Sequence, residues 1–155
     1  MSNIAAFIDF KSGNPSSRSV QIINLVNSLA KSFTEVEQIC FYTFDLADSS
    51  TINSSVPASL FQIKGISEAG TFSNSQLDEI AKSLILNNCT CVIGFKSALI
   101  DHILAAVSVQ LNLPVISQVN SIDISNKNIN FKQSIFSGKA NSFIQTHLSS
   151  IIVLN

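Results

Sequence analysis

The chain has 155 residues, 46% of them hydrophobic and only 12% charged, against about 25% charged in a typical globular protein. Nine Lys plus Arg and ten Asp plus Glu give a net charge of −1, and the cations are scattered singly. This argues against a nucleic-acid binder, whose affinity comes from clustered cations on phosphates. The apolar runs, such as Ile103 to Val107, fall far short of the ~20 residues that cross a bilayer.

The length suits one domain with a core large enough to need no disulfide or metal staple. Three cysteines make an odd count. Asp9 interrupts the first apolar stretch and no basic segment precedes it, so no secretory leader is expected. Reduced thiols and a cytoplasmic location follow as expectations. A mean hydropathy of +0.36 with almost no net charge favours association, either with a partner or with a second copy.

Ile4 to Phe10 is a short apolar run of the kind that forms a buried strand. Gly13-Asn14-Pro15 breaks it, and Ser16 or Ser17 can cap the helix that follows. Ile22, Leu25, Val26, Leu29, Ala30 and Phe33 then share one helical face, predicting a helix over 16–33. Gln38 to Phe44 reads as a strand, Asp48 to Pro57 as a Ser-rich loop, and Ala58 to Lys64 as a third strand. Leu77, Ile80, Ala81, Leu84 and Ile85 predict a helix over 75–87. The strand after it, Cys89 to Ile93, ends at Gly94. Ser97 to Leu111 is apolar nearly all round, which predicts a helix buried on most sides.

Leu113 to Ser117 is the next strand, entered through Pro114. Beyond it, Ile122 and Ile124 alternate with polar residues, turn at Asn126-Lys127-Asn128, and resume with Ile129, Phe131 and Ile135 as a β-hairpin. Phe143 to His147 and Ile151 to Leu154 are two further strands. The expected fold class is α/β, a Rossmann-like three-layer sandwich. Its mostly parallel sheet carries antiparallel strands from Ile122 onward at one edge.

The five glycines never fall in the G-x-G-x-x-G spacing of a dinucleotide loop. Gly94-Phe95-Lys96-Ser97 lacks the glycines of a phosphate loop, although it lies where a strand meets a helix start. Gly94 and Ser97, with Gly138 in Ser137-Gly138-Lys139, are therefore the candidate anion-holding residues. Asp101 and His102 are consecutive, so on a helix they point apart and cannot relay a proton. His102 reads as a hydrogen-bonded residue at a packing edge, and Ser97, Asp101 and Ser108 as a solvent stripe. His102 and His147 alone cannot make a histidine metal site. Cys89 and Cys91, two apart, read as buried residues on one face of a strand. No catalytic or metal-binding constellation emerges.

From Val92 to Ser117 the sequence VIGFKSALIDHILAAVSVQLNLPVIS resembles the electron transfer flavoprotein α subunit family. Phe131 to Ala140 (FKQSIFSGKA) resembles that family's R-x-I-Y-A-G-N-A segment. The departures are His102 for an Asp, Ala105-Ala106 for Pro-Arg, and Gln133 and Asn155 for arginines. The resemblance spans the chain but only as the family's N-terminal domain, and implies the adenine nucleotide alpha hydrolase-like form of the fold. It implies that FAD is held by a C-terminal domain not included in these residues, and that AMP belongs to the β subunit. The implied function is a scaffold that docks the β subunit and the FAD domain during electron transfer from dehydrogenases to a respiratory acceptor. No cofactor is then expected on this chain, a homodimer of the isolated domain is a further expectation, and membrane insertion is not. The alternative is an adenine-nucleotide-binding module of the universal-stress type, with its ligand near Gly94 and Ser97.

Overall fold

Short apolar runs bounded by turn residues become strands, and apolar residues recurring every three or four positions become helices. The computed structural model describes residues 2–45, 49–64 and 73–155 and shows an α/β fold. Asp48, at the head of the Ser-rich loop, and Gly65 and Gly70 lie outside the described residues. The first half contains β1 (Asn3–Phe7), β2 (Phe10–Lys11), β3 (Asn14–Pro15), α1 (Ser17–Ser32), β4 (Ile39–Thr43) and β5 (Ala58–Gln62). Next come α2 (Asn74–Leu86), β6 (Cys89–Phe95) and α3 (Ala98–Leu111). The chain finishes with β7 (Val115–Ser125), β8 (Asn128–Ile135), β9 (Ala140–Thr146) and β10 (Ser150–Leu154).

Eight strands form one sheet in the order β5-β4-β1-β6-β10-β7-β8-β9. The neighbours from β5 to β7 pair in parallel, and β8 and β9 are antiparallel additions. On one face α1 packs through Ile22, Val26 and Leu29 against Ile4, Ala6, Ile39 and Phe41. On the other, α2 and α3 pack through Leu77, Leu84, Ile103 and Leu104 against Ala5, Phe7, Cys40 and Tyr42. The mostly parallel, broadly Rossmann-like sandwich is as the periodicity predicts.

Several details depart from the sequence pattern. The first strand stops at Phe7, not Phe10, because the chain turns into the small β2–β3 hairpin. Ser12 and Gly13 at its tip have φ of 52° and 81°, the left-handed pair that a two-residue hairpin needs. Leu113 to Ser117 and the first hairpin strand are one strand, β7. Gln118 sits in it at φ 55°, and the register shifts beside it, so Ile116 and Val119 are both buried although three apart. The last strand is not an antiparallel edge addition. β10 returns into the sheet and lies parallel between β6 and β7.

α3 is less buried than its composition suggests. Ile103, Leu104 and Val107 face the core, while Val109 is 81% exposed. Ile85, expected on the apolar face of α2, is likewise exposed, as is Leu86. Cys89 and Cys91 lie on opposite faces of the sheet. Thr90 is an extra residue in the pairing of β6 with β1, where Asn3 and Ile4 face Cys89 and Cys91. Such a bulge reverses the alternation of side chains.

Candidate functional site

The chain runs from β1 through α1 to β4 on one side, and later from β5 through α2 to β6 on the other. The order of strands therefore reverses between β1 and β6. In open α/β sheets ligands bind beyond the carboxyl ends of the strands at such a point. Here a cleft of about 420 Å³ opens there. Phe7, Ile22, Phe44, Leu99 and Ile100 supply apolar walls, and Asp9, Arg18, Asp45, Lys96 and Ser97 supply the polar ones.

Asp9, just past β1, is tied to the start of α1. Its backbone N–H donates to Ser19 Oγ at 2.8 Å, and Ser19 Oγ donates back to Asp9 Oδ1 at 2.5 Å. The Ser16 hydroxyl donates to the same carboxylate oxygen, and Ser16 Oγ caps α1 by accepting from Ser19 N–H at 3.2 Å. Burial works to raise the Asp9 carboxyl, but the Ser16 and Ser19 hydroxyls, its own backbone and the nearby Lys11 charge outweigh it. The carboxyl is held below the ordinary aspartate range. Asp45, past β4, accepts from Phe10 N–H at 3.0 Å through Oδ2. Both carboxylates are thus engaged with their own chain.

The cations are engaged differently. The Arg18 guanidinium lies 4.4 Å above the centre of the Phe95 ring, and one of its N–H groups reaches the Lys96 carbonyl at 3.4 Å. The Lys96 side chain makes no ion pair or hydrogen bond among the described residues, while its backbone N–H donates to Leu154 O at 2.7 Å. Lys96 also borders a second cavity of about 220 Å³, walled by Leu104, Ser117, Gln118 and Val153.

No protein-family model and no curated protein matches the chain.

Of the residues singled out by sequence, Ser97 lines the cleft and caps α3, its Oγ accepting from Ile100 N–H at 3.1 Å. Gly94 is buried one turn of chain earlier, inside β6, paired with Val153. A Cβ there would come within 2.9 Å of Ile100 Cγ2, so this glycine allows α3 to sit close on the sheet. Gly138, at φ 83°, belongs to the exposed turn between β8 and β9, several strands from the other two. The structure therefore brings Gly94 and Ser97 together and leaves Gly138 apart.

The His102 side chain is exposed and makes no hydrogen bond among the described residues, which corrects its assignment as a hydrogen-bonded edge residue. Asp101 is half-buried and borders the second cavity. No group of three or more His, Cys, Asp or Glu among the described residues is placed to hold a metal ion. Cys40, Cys89 and Cys91 are free and buried. The Cys40 neighbour and burial push the Cys89 thiol far up, and burial pushes Cys91 up to about 12, so neither is an available thiolate at neutral pH. Gln133 donates to Ser117 O at 2.7 Å, tying β8 to β7, and Asn155 donates to Asn120 Oδ1 at 2.9 Å, tying the residue after β10 to β7. No helix of the described residues is long and apolar enough to cross a membrane.

Asp9, Arg18 and Asp45 carried no motif in the sequence. The available signal was an acidic residue directly after the first strand, followed by the Ser16–Ser19 pair at helix-cap spacing.

Proposed function

We propose that the chain is a docking domain of the electron transfer flavoprotein α-subunit type, with the adenine nucleotide alpha hydrolase-like form of the fold. In this reading it does no chemistry alone and packs against a β subunit. The observation that carries the proposal is the edge of the sheet at β9, which pairs on its outer side with no other strand among the described residues. Its seven residues contain no charge and no proline, and its pairing with β8 runs without a register shift. Edge strands are normally blunted by charges, prolines or bulges. Beside this edge, Phe136 and Phe143 are 77% and 79% exposed. Only one face of the β7–β9 addition contributes to the core. Residues 131–140, which carry part of the resemblance, form the second half of β8, the turn after it and the first residue of β9. An unpaired strand edge with apolar anchors suits strand addition by a partner.

The test is co-expression with an electron transfer flavoprotein β subunit, followed by sedimentation. A one-to-one complex is expected, and Phe143→Lys should weaken it by at least about tenfold, the scale of a central aromatic anchor. Unchanged thermal unfolding of the variant would show that the fold is intact. A chain that stays monomeric with the β subunit present, or that binds equally well with Phe143→Lys, overturns the docking role. Flavin belongs to another domain in this reading, so FAD titrated onto residues 1–155 should give no stoichiometric yellow complex.

A further inference from the structure

We infer that, when no other partner is present, β9 pairs with β9 of a second copy of this chain, antiparallel about a two-fold axis at Phe143. A β subunit on the same edge excludes the second copy, so the self-pair is the state of the chain alone. It stands whether or not a β subunit docks there.

The length of β9 fixes the register. An antiparallel pair of identical strands with continuous faces sets one residue opposite its own copy, as a closed two-fold contact requires. β9 runs from Ala140 to Thr146, and Phe143 is its middle residue. With the axis there, all seven residues are paired: Asn141 faces Gln145 of the second copy, Ser142 faces Ile144, and Ala140 faces Thr146. Moving the axis to Ser142 or Ile144 leaves two residues of each strand unpaired. A slip of a single residue turns the apolar face of one copy toward solvent.

The side chains suit that register. Asn141, Phe143 and Gln145 are all exposed and alternate along the strand, so they share one face. Across the joint the two Phe143 rings meet, flanked on each side by an Asn–Gln pair. Gln145 donates to Asn130 Oδ1 at 3.0 Å, which leaves its carbonyl oxygen to accept from Asn141 of the second copy. β9 carries no charge, so no like charges face each other within the paired seven. Lys132 faces Phe143 from β8. Its two copies lie three strand spacings apart, about 14 Å, where salt screens them. The net charge of −1 does little to hold the copies apart. One strand edge makes a small interface of the weak, transient class.

Sedimentation of the full chain alone at physiological salt, up to high micromolar concentration, should show a reversible monomer–dimer equilibrium. Phe143→Lys sets two ammonium groups opposite each other and removes the ring pair, and should weaken the dimer at least about tenfold. Two double variants read the register. Asn141→Lys/Gln145→Lys opposes like charges twice and should also weaken the dimer at least about tenfold, whereas Asn141→Lys/Gln145→Glu sets Lys opposite Glu and should hold it at or above wild-type strength. All three positions are exposed, and thermal unfolding checks that each variant keeps the fold. No β subunit is present in these runs, so failure here leaves the docking role standing. A wild-type chain that stays monomeric throughout overturns the inference. So does a dimer that Phe143→Lys leaves intact, or equal dimerisation of the two double variants.

Discussion

Asp9 and Ser19 exchange two hydrogen bonds across ten residues, one from the Asp9 N–H to Ser19 Oγ and one from Ser19 Oγ to the Asp9 carboxylate. Ser19 is only 2% exposed, so neither of its partners has an easy replacement. Through this pair the end of β1 fixes the first turn of α1, and with it one wall of the cleft. Ser19→Ala should destabilise the fold by about 2 kcal/mol, the cost of orphaning a buried donor and weakening a carboxylate contact. In a chain of this size that is roughly 4–8 °C in Tm. Ser28→Ala, on the exposed side of α1, should stay within about 0.5 kcal/mol. Equal effects from the two substitutions would remove the special standing of Ser19.

The same pair makes an acid-sensitive contribution with a definite sign. The folded Asp9 carboxyl is depressed, so the unfolded chain binds its proton more readily than the folded one. Its stabilisation is fully present above the unfolded value of about 3.9 and is lost as pH falls through the lower folded value. Wild-type and Asp9→Asn proteins should therefore differ most near neutral pH and converge below about pH 4. Urea unfolding from pH 7 to pH 2 reads the gap directly. A gap that stays constant to pH 2 would show that the charge on Asp9 is irrelevant.

The parallel core was legible because its signals are local. Ile4 to Phe7 and Ile39 to Thr43 are unbroken buried runs, and Ile22, Val26 and Leu29 mark the face of α1. The place of β10 was not legible, since Ile151 to Leu154 has the same apolar pattern whether it joins the centre or the edge of a sheet. Its partners, Val92 to Phe95 and Val115 to Val119, are remote in sequence. The two bulges were missed for a related reason. Alternation assumes a constant period of two, and Thr90 and Gln118 each insert one residue that reverses it. Ser97 was found as a cap because capping is local, whereas the cleft it borders depends on which strands become neighbours.

Gly94 offers a packing test. An added Cβ would lie 2.9 Å from Ile100 Cγ2 and 3.5 Å from Leu104 Cδ1. A β-branched side chain on a packed helix cannot swing away as a flexible one does, so α3 must shift. Gly94→Ala should cost about 1–3 kcal/mol, the usual penalty of overpacking. In Gly94→Ala/Ile100→Ala the obstructing methyl is gone. The double variant should therefore be more stable than the sum of the single effects by about 1 kcal/mol. Strict additivity in urea unfolding would place the strain elsewhere.

Thr90 and Thr43 predict opposite outcomes for one substitution. Thr90, the bulge residue of β6, has a buried Oγ1 with no hydrogen-bond partner among the described residues. Thr43, at the end of β4, is fully buried, and its Oγ1 accepts from Asp45 N–H at 3.2 Å. Valine matches threonine in shape and replaces the hydroxyl with a methyl group. At Thr90 it removes an unsatisfied polar atom and adds apolar burial, so Thr90→Val should stabilise by about 1 kcal/mol. At Thr43 it leaves the Asp45 amide unpaired next to the cleft, so Thr43→Val should destabilise by about 1–2 kcal/mol. The change at Thr43 should also loosen Asp45, whose carboxylate holds the Phe10 amide, while the change at Thr90 leaves the cleft untouched. Urea midpoints of the two variants, measured against wild type at pH 7, should move in opposite directions. A loss at Thr90 as large as that at Thr43 would mean that the Thr90 hydroxyl is hydrogen-bonded in solution, and that the bulge is held by that bond instead of by packing.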